Sequence, residues 1–472
     1  MQISDFKTWA VRAAEWAADY RRTLRDRPVR PNLAFGAIAA RLPARAPEKP
    51  EPMETIVRDF EDLIVPGMTH WQHPRFFAYF PANAAPAAVV AEILISSMAA
   101  QCMLWQTSPA ATELEITVVG WLRDALGLPD GFAGVLQDSA STATLAAVLT
   151  MRERALAFTG NRTGLAGRPA VRVYCSDQVH SSIDKACWIA GVGEDNLVKL
   201  PGRGPSKGLD ADELDAAIRA DRAAGHLPAG VIACVGGTSV GASDDVAAVV
   251  RVARAHGLFV HVDAAWAGSA MICPEFRGLW AGAEDADSIV VNPHKWLGAP
   301  FECAAHFIRD PESHVRTLAI QPEYLKTYGE TRIVNFSEWS VPLGRRFRSL
   351  KLWFLLRAYG LEGLRTMIRN HVAWARDLAE TIRASEGFEL VTEPVLSLFA
   401  FRWTPPGATD LDAANIQLVE AVNRDGRVYV TQTRHDGRIA IRIQFGAFEM
   451  TEGDAREGWR VIREVAAGLE GG

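Results

Sequence analysis

The chain has 472 residues, 49% of them hydrophobic, a formal net charge of −6 and an isoelectric point near 6.0. That length and apolar content supply a large core and exceed what one compact domain holds. Lys and Arg are scattered apart from the run Arg345-Arg346-Phe347-Arg348, so the basic surface that nucleic acid or an anionic membrane would need is missing.

Residues 5–25 read as an amphipathic helix, with Phe6, Trp9, Ala13, Trp16, Ala17, Tyr20 and Leu24 near one face. A connector with Pro28, Pro31, Pro43, Pro47, Pro50 and Pro52 follows. A Trp- and Ala-rich helix beside an extended connector has too few partners to bury its own face. Residues 1–80 are therefore expected to form a helical arm that packs on another subunit. No basic stretch followed by an apolar run opens the chain. The apolar residues near 84–95 are Ala-rich and too few to span a bilayer, so a cytoplasmic protein without a membrane partner is expected. Cys102, Cys175, Cys187, Cys234, Cys273 and Cys303 lack metal-ligand spacing. They are expected as buried thiols, with no metal.

Residues 112–126 and 140–157 have helical spacing. Short β-rich runs at 171–175, 231–235, 258–263 and 288–291 then alternate with helical stretches such as 211–224 and 246–256. Such alternation predicts an α/β domain over 81–350 with a large, mainly parallel sheet. Chemistry on such sheets collects at the carboxyl ends of the strands. Beyond 350 the pattern changes. Residues 388–403 and 427–445 alternate like antiparallel strands, and 350–386 and 450–469 are helical, which predicts a small C-terminal α+β domain over 351–472.

Three strand-end features fit together. Asp263 ends the apolar run Val260-His261-Val262, and a carboxylate there needs a cationic or hydrogen-bonded partner. Lys295, in Asn292-Pro293-His294-Lys295-Trp296, directly follows another strand. Apolar neighbours there can lower its pKa and make it an amine nucleophile. Gln137-Asp138-Ser139-Ala140-Ser141-Thr142 opens a helix whose first amides and dipole suit a phosphate. Each feature has an ordinary reading alone: a solvated lysine, a structural carboxylate, a helix cap. Together, an amine, a carboxylate and an anion cradle are what pyridoxal 5′-phosphate (PLP) requires.

Further segments carry a family resemblance. They are Pro66-Gly67-Met68-Thr69-His70-Trp71-Gln72-His73-Pro74, Phe77-Ala78-Tyr79-Phe80-Pro81, Ser108-Pro109-Ala110, Ser176-Asp177-Gln178-Val179-His180-Ser181-Ser182 and Pro342-Leu343-Gly344-Arg345-Arg346-Phe347-Arg348-Ser349-Leu350-Lys351. With the strand-end motifs, they make the chain resemble the group II PLP-dependent amino-acid decarboxylases, in the aromatic-L-amino-acid branch. The resemblance implies fold type I, an obligate homodimer clasped by N-terminal helices, and loss of CO2 from an aromatic amino acid to give an amine. Lys295 would hold PLP as a Schiff base, Asp263 would keep its pyridine nitrogen protonated, and His180 would stack on the ring and approach the substrate carboxylate. Ser139, Ala140, Ser141, Asn292 and His294 would contact the phosphate, with Thr238 and Ala265 near the ring. Trp71, Tyr79, Phe80, Pro81, Ala82, Gln101, Met103, Trp266 and Gly344 would line the substrate pocket. Which aromatic amino acid fits is left open.

The chain departs from the family at one position of consequence. The family's loop Tyr, associated with protonating the substrate carbon, stands three residues before a Trp. Counting back from Trp339 places Phe336 there, and a phenyl ring has no proton to give. Relatives with Phe tend to be aldehyde synthases, which release an aldehyde, ammonia and hydrogen peroxide in the presence of O2. If the register shifts by the few residues by which this loop is short, Tyr324, Tyr328 or a water would be the donor. Amine formation, aldehyde formation and PLP binding without turnover are thus the readings to separate.

Overall fold

A computed structural model describes residues 3–320 and 333–470. In chain order it contains α1 (Ile3–Arg22), α2 (Met53–Asp59), α3 (Pro86–Met98), α4 (Pro109–Leu126), β1 (Ala133–Gln137), α5 (Ala140–Ala155), α6 (Gly160–Thr163), β2 (Val171–Ser176), α7 (Ser182–Ile189) and β3 (Leu197–Leu200). There follow α8 (Ala211–Ala223), β4 (Leu227–Cys234), α9 (Val246–Ala255), β5 (Phe259–Asp263), β6 (Ser288–Val291), β7 (Ala304–Ile308) and α10 (Pro311–Leu318). The chain closes with α11 (Arg348–Arg383), β8 (Phe388–Val395), β9 (Leu398–Trp403), α12 (Leu411–Asp425), β10 (Thr431–His435), β11 (Arg438–Gln444) and α13 (Glu452–Glu470).

The residues fall into two compact units. One comprises Ala82–Ala373 with Val395–Leu398, the other Met1–Pro81, Trp374–Pro394 and Phe399–Gly472. The first unit is built on a seven-stranded sheet of order β1-β7-β6-β5-β4-β2-β3. Only β7 runs against its neighbours β1 and β6. The β2–β3, β2–β4, β4–β5 and β5–β6 pairs are parallel, so the sheet is mixed and mainly parallel as expected. β5 and β6 are buried at every position. Their sequences FVHVD and SIVV are mostly β-branched and apolar, as a strand covered by helices on both sides requires, with the buried His261 and Ser288 bonded to each other. Helices start where side chains can accept their first amides: Ser139 caps α5, Asp210 caps α8 and Asp245 caps α9.

The second unit holds a four-stranded sheet of order β10-β11-β9-β8, with β10 and β11 antiparallel across the His435-Asp436-Gly437 region. Its core gathers Phe77, Phe399, Phe401, Phe445 and Trp459; each such ring contributes about 1.5–3 kcal/mol by leaving water. In α1, Trp16 packs on Tyr20 and Phe60, and the Tyr20 hydroxyl meets His70 Nδ1 at 2.9 Å. No described side chain of α1 is fully buried. All six cysteines are buried and none is bridged. Among the described residues no helix is long and apolar enough to cross a membrane.

Candidate active site

The carboxyl ends of β4, β5 and β6 lie side by side, with Cys234 opposite Asp263 and Asp263 opposite Val290. Asp263 is 7% exposed, and one carboxylate oxygen accepts the Ala265 N–H at 3.1 Å. The Ala265 carbonyl in turn accepts the Asn292 N–H at 2.8 Å, tying the end of β5 to the turn after β6. In that turn the Lys295 N–H donates to the Asn292 carbonyl, and Asn83 donates its side-chain amide to the Lys295 carbonyl at 2.7 Å. Lys295 is half-buried. Asn292 Oδ1 is buried and has no hydrogen-bond partner among the described residues. An orphaned amide of this kind costs about 1–3 kcal/mol and calls for a polar group beside it.

His294 is almost fully buried, and its Nδ1 accepts the Cys303 N–H at 3.0 Å. Burial, and then the nearby Lys295 charge, push its pKa down to about 3. The ring is therefore neutral with its proton on Nε2, a donor fixed by the backbone bond on the other nitrogen. His180 sits between β2 and α7. Its Nδ1 accepts the Ser182 N–H at 3.1 Å and meets the Ser182 hydroxyl at 2.9 Å. Desolvation first and the Lys295 charge second lower its pKa, with Asp263 opposing. His180 is thus also a neutral Nε2–H donor, within electrostatic reach of the lysine and the carboxylate.

Asp138 and Ser139 join β1 to α5. Ser139 Oγ caps the helix by accepting the Thr142 N–H at 3.3 Å. The amides of Ala140 and Ser141 precede the first bond of the helix, from the Ala143 N–H to the Ser139 carbonyl, so they belong to the end that attracts anions. Asp138 accepts the Ser139 N–H at 2.6 Å and also takes the Ser139 and Thr142 hydroxyls. Its charge reaches His294. Thr238 stands on a tight loop after β4, closed by the Gly236 and Gly237 amides on the Ala242 carbonyl.

Trp266 is 1% exposed and stacks on Trp296 with centroids 5.1 Å apart. Phe336 is 2% exposed, in a short 3-10 turn Phe336–Glu338. Its ring packs with Val135, Ile308 and Trp339 under the Arg345 guanidinium. It borders a cavity of about 310 Å³ whose lining includes none of Lys295, Asp263 or His180. In this chain the Phe336 ring is held in an apolar cluster on the β1–β7 edge. Gln101 and Gly344 do meet. Gln101 Oε1 accepts the Arg345 N–H at 2.7 Å, and a Cβ on Gly344 would come within 3.1 Å of Gln101 Nε2. They line an open groove with Arg346 and Arg348, again apart from the three chemical groups. Met103 accepts the Ser337 N–H through its carbonyl. Ala82 precedes Asn83, whose own N–H donates to the His294 carbonyl.

In the second unit Trp71 and Tyr79 are exposed rings stacked 5.8 Å apart. Phe80 lies under the Arg442 guanidinium, and Pro81 is buried. Tyr324 and Tyr328 lie outside the described residues. Sequence reasoning missed Asn83 and Cys303, whose contributions run through backbone and amide contacts that no motif advertises. Asp138 stood inside the motif, but only its bonds reveal that it competes for the hydroxyls.

The model of the pyridoxal-dependent decarboxylase conserved domain matches residues 36–404. Over 480 residues the chain is 38% identical to phenylacetaldehyde synthase of Arabidopsis thaliana, covering 99% of this chain and 97% of that one. It is equally identical, 38% over 481 residues, to a tryptophan decarboxylase of Camptotheca acuminata, covering 99% and 96%. The solved structure of Oryza sativa TDC with PLP and tryptamine superposes with a TM-score of 0.96 at 35% identity, covering 100% of this chain and 99% of that one. Fold, strand-end chemistry and similarity along the whole chain agree: the chain belongs to the family of pyridoxal-dependent decarboxylases, PLP-dependent carboxy-lyases of fold type I.

Proposed function

We propose that this enzyme decarboxylates an aromatic L-amino acid of the Trp, Tyr, DOPA or Phe type to the corresponding amine. The observation that carries the reading is the placement of Lys295 and Asp263 on adjacent strand ends, with the neutral His180 coupled electrostatically to both. The residues present fit PLP. Lys295 is the amine for its aldehyde carbon, and the buried Asp263 carboxylate is the partner for a protonated ring nitrogen. The His294 Nε2–H, Ser139 and the Ala140 and Ser141 amides suit its phosphate, which Asn292 would contact through its side-chain NH2. Thr238 and Ala265 belong to the loops that would flank its ring. When bound, PLP supplies an electron sink for the pair left on Cα as CO2 departs.

The chain's own work is orientation and proton control. Decarboxylation requires the Cα–carboxylate bond to stand perpendicular to the conjugated ring. His180, fixed by Ser182, offers one N–H in a set direction to hold that carboxylate. Asp263, shielded from water, keeps a proton on the ring nitrogen, where loss of that proton would abolish the sink. Taken by itself, the second unit carries a stacked pair, Trp71 and Tyr79, followed by Phe80 and Pro81, a flat apolar surface of the kind an aromatic side chain complements. The Phe336 ring has no proton to give, so the proton that ends on Cα needs another donor, and Phe at this position keeps the aldehyde, ammonia and peroxide route as the second reading. Binding without turnover is disfavoured by the retention of Lys295, Asp263 and His180 together.

The functional molecule is proposed to be a homodimer, with residues 1–80 as the arm that reaches the second copy, 81–350 as the cofactor-bearing domain and 351–472 as the small domain. The unbridged thiols suit a reducing compartment and support a cytoplasmic enzyme.

The test is product analysis in air and under nitrogen with L-Trp, L-Tyr, L-Phe and L-DOPA. Amine stoichiometric with CO2, and peroxide at background, is expected for at least one substrate. Stoichiometric aldehyde and peroxide would overturn the amine assignment, and absence of CO2 with all four would overturn the enzyme reading.

A further inference from the structure

Behind the strand ends that carry Thr238, Asp263 and Lys295 runs a column of buried rings. Trp266 follows Asp263 by three residues, and Trp296 directly follows Lys295. The two indoles are 1% and 0% exposed and stack with centroids 5.1 Å apart and planes 17° from parallel. On one side Trp266 abuts the end of β4. A Cβ built on Gly236 would fall 2.4 Å from Ala267 Cβ and 3.3 Å from the Trp266 ring, and Gly236 has φ +81°. Only glycine allows that approach without strain. On the other side Trp296 lies parallel to His371 on α11, with centroids 6.3 Å apart and planes 7° from parallel, and its indole N–H donates to His371 Nδ1 at 2.9 Å. Burial holds the His371 pKa down to about 3, so the ring stays a neutral acceptor throughout the working range.

The column therefore crosses the ends of β4, β5 and β6 and anchors them to the part of α11 that follows its kink at Gly360. Packed aromatic faces resist sliding, and a buried indole N–H must keep its acceptor. A displacement of about 1 Å at a reacting group can cost on the order of a hundredfold in rate.

We infer that Trp266, Trp296 and His371 form a positioning column that sets the mutual placement of Asp263 and Lys295 and thereby the affinity for PLP and the rate of the chemical step. The inference rests on the proposed roles of Lys295 and Asp263. Trp296→Phe keeps the ring and removes the N–H. His371→Phe keeps the ring and removes the acceptor. His371→Gln restores an acceptor. PLP affinity, the visible absorbance of the bound cofactor, and kcat and KM are measured on each. In Trp296→Phe and His371→Phe the PLP Kd is expected to rise about tenfold, the value of one buried hydrogen bond. The visible band shifts, and kcat falls with KM for the amino acid unchanged. His371→Gln recovers most of the affinity and the wild-type band.

Folded variants that bind PLP and absorb as wild type, with only thermal stability lowered, would overturn the inference. Where the Phe variants do not fold, the 19F resonances of 5-fluorotryptophan at positions 266 and 296 in the wild-type chain serve instead. They shift on PLP loading if column and site are coupled, and unmoved resonances overturn the inference. Lys295→Ala separates the two levels. If it keeps the visible band, the cofactor assignment fails; if it loses the band while the column variants bind normally, only the column fails.

Discussion

A hydroxyl added to Phe336 would enter the apolar surround of Val135, Ile308 and Trp339. Phe336→Tyr is therefore expected to leave the ratio of amine to aldehyde unchanged and to cost about 1–3 kcal/mol of stability for a buried hydroxyl. Product analysis by mass spectrometry with a urea titration checks both; a shift in product ratio would place this ring at the reacting centre. Asp138 presents the opposite situation, a carboxylate at the mouth of an anion site. Asp138→Asn keeps an acceptor for the Ser139 N–H and removes the charge that opposes phosphate. It is expected to tighten PLP binding several-fold, most strongly at low salt; weaker binding would mean that the charged form is needed to position the hydroxyls. At this scale, Lys295 and Asp263 were legible because a charged residue ending an apolar run has few cheap structural explanations. The packing of Trp266 and Phe336 was not. Sequence shows that a ring is apolar, and whether it faces core or cleft depends on strands far away in the chain.

The next scale joins β5, β7 and α10 through three buried histidines. His306 lies edge-on between His261 and His314, with centroids 5.7 Å and 5.5 Å away. His261 meets Ser288 and Thr144, and His314 meets Thr150 and the Trp339 carbonyl. Neither ring nitrogen of His306 has a hydrogen-bond partner among the described residues. Burial lowers the pKa of His261 and His314 to about 4 and that of His294 and His371 to about 3, and it lowers that of His306 as well. The unfolded chain binds these protons below its ordinary histidine pKa of about 6.5, and the folded chain does not. The stability from the five neutral rings is thus complete above pH 6.5 and is lost as the pH falls toward 4. Asp244 acts the other way. Burial raises its pKa to about 6, so near pH 5 it carries a proton only when folded and offsets one of the five. Unfolding near pH 5 is expected to take up about four protons net from these groups, and one more from the buried His73, whose pKa burial also lowers to about 3, each worth about 1.4 kcal/mol per pH unit. Urea midpoints between pH 4.5 and 7 measure this, and a flat profile would refute it. His306→Phe removes two orphaned nitrogens within a similar shape. It is expected to raise stability at pH 7 by about 1–3 kcal/mol and to lower the uptake by one proton; a loss of stability at pH 7 would show a partner not described above. Long elements with caps or sustained periodicity were readable from the chain, among them α1, α5, α8 and α9. β1, β3 and β7, of five, four and five residues, were passed over. β5 and β6 are as short but stood out because each leads into a charged motif, while the reversal of β7 follows from its pairing with β1 and β6.

For the molecule as a whole, the last hundred residues were readable as a separate α+β pattern. The grouping of residues 1–81 with them in one compact unit was not, because contacts between chain ends leave no local signature. The surface left over bears on assembly. α3 exposes Val90, Ile93, Leu94 and Met98, each 44–53% accessible. Their spacing places them on one face, and a contiguous apolar face of this kind marks an interface. If the proposed homodimer covers it, the enzyme elutes at twice 51.5 kDa, about 103 kDa. A charge set into that face costs the single chain little, since exposed substitutions usually stay within about 0.5 kcal/mol. An unpaired carboxylate trapped between two apolar faces costs far more. Ile93→Asp is therefore expected to shift the species in sedimentation velocity from the mass of two chains to that of one, with far-UV circular dichroism unchanged. Retention of the full mass at micromolar concentration would place the contact between copies elsewhere.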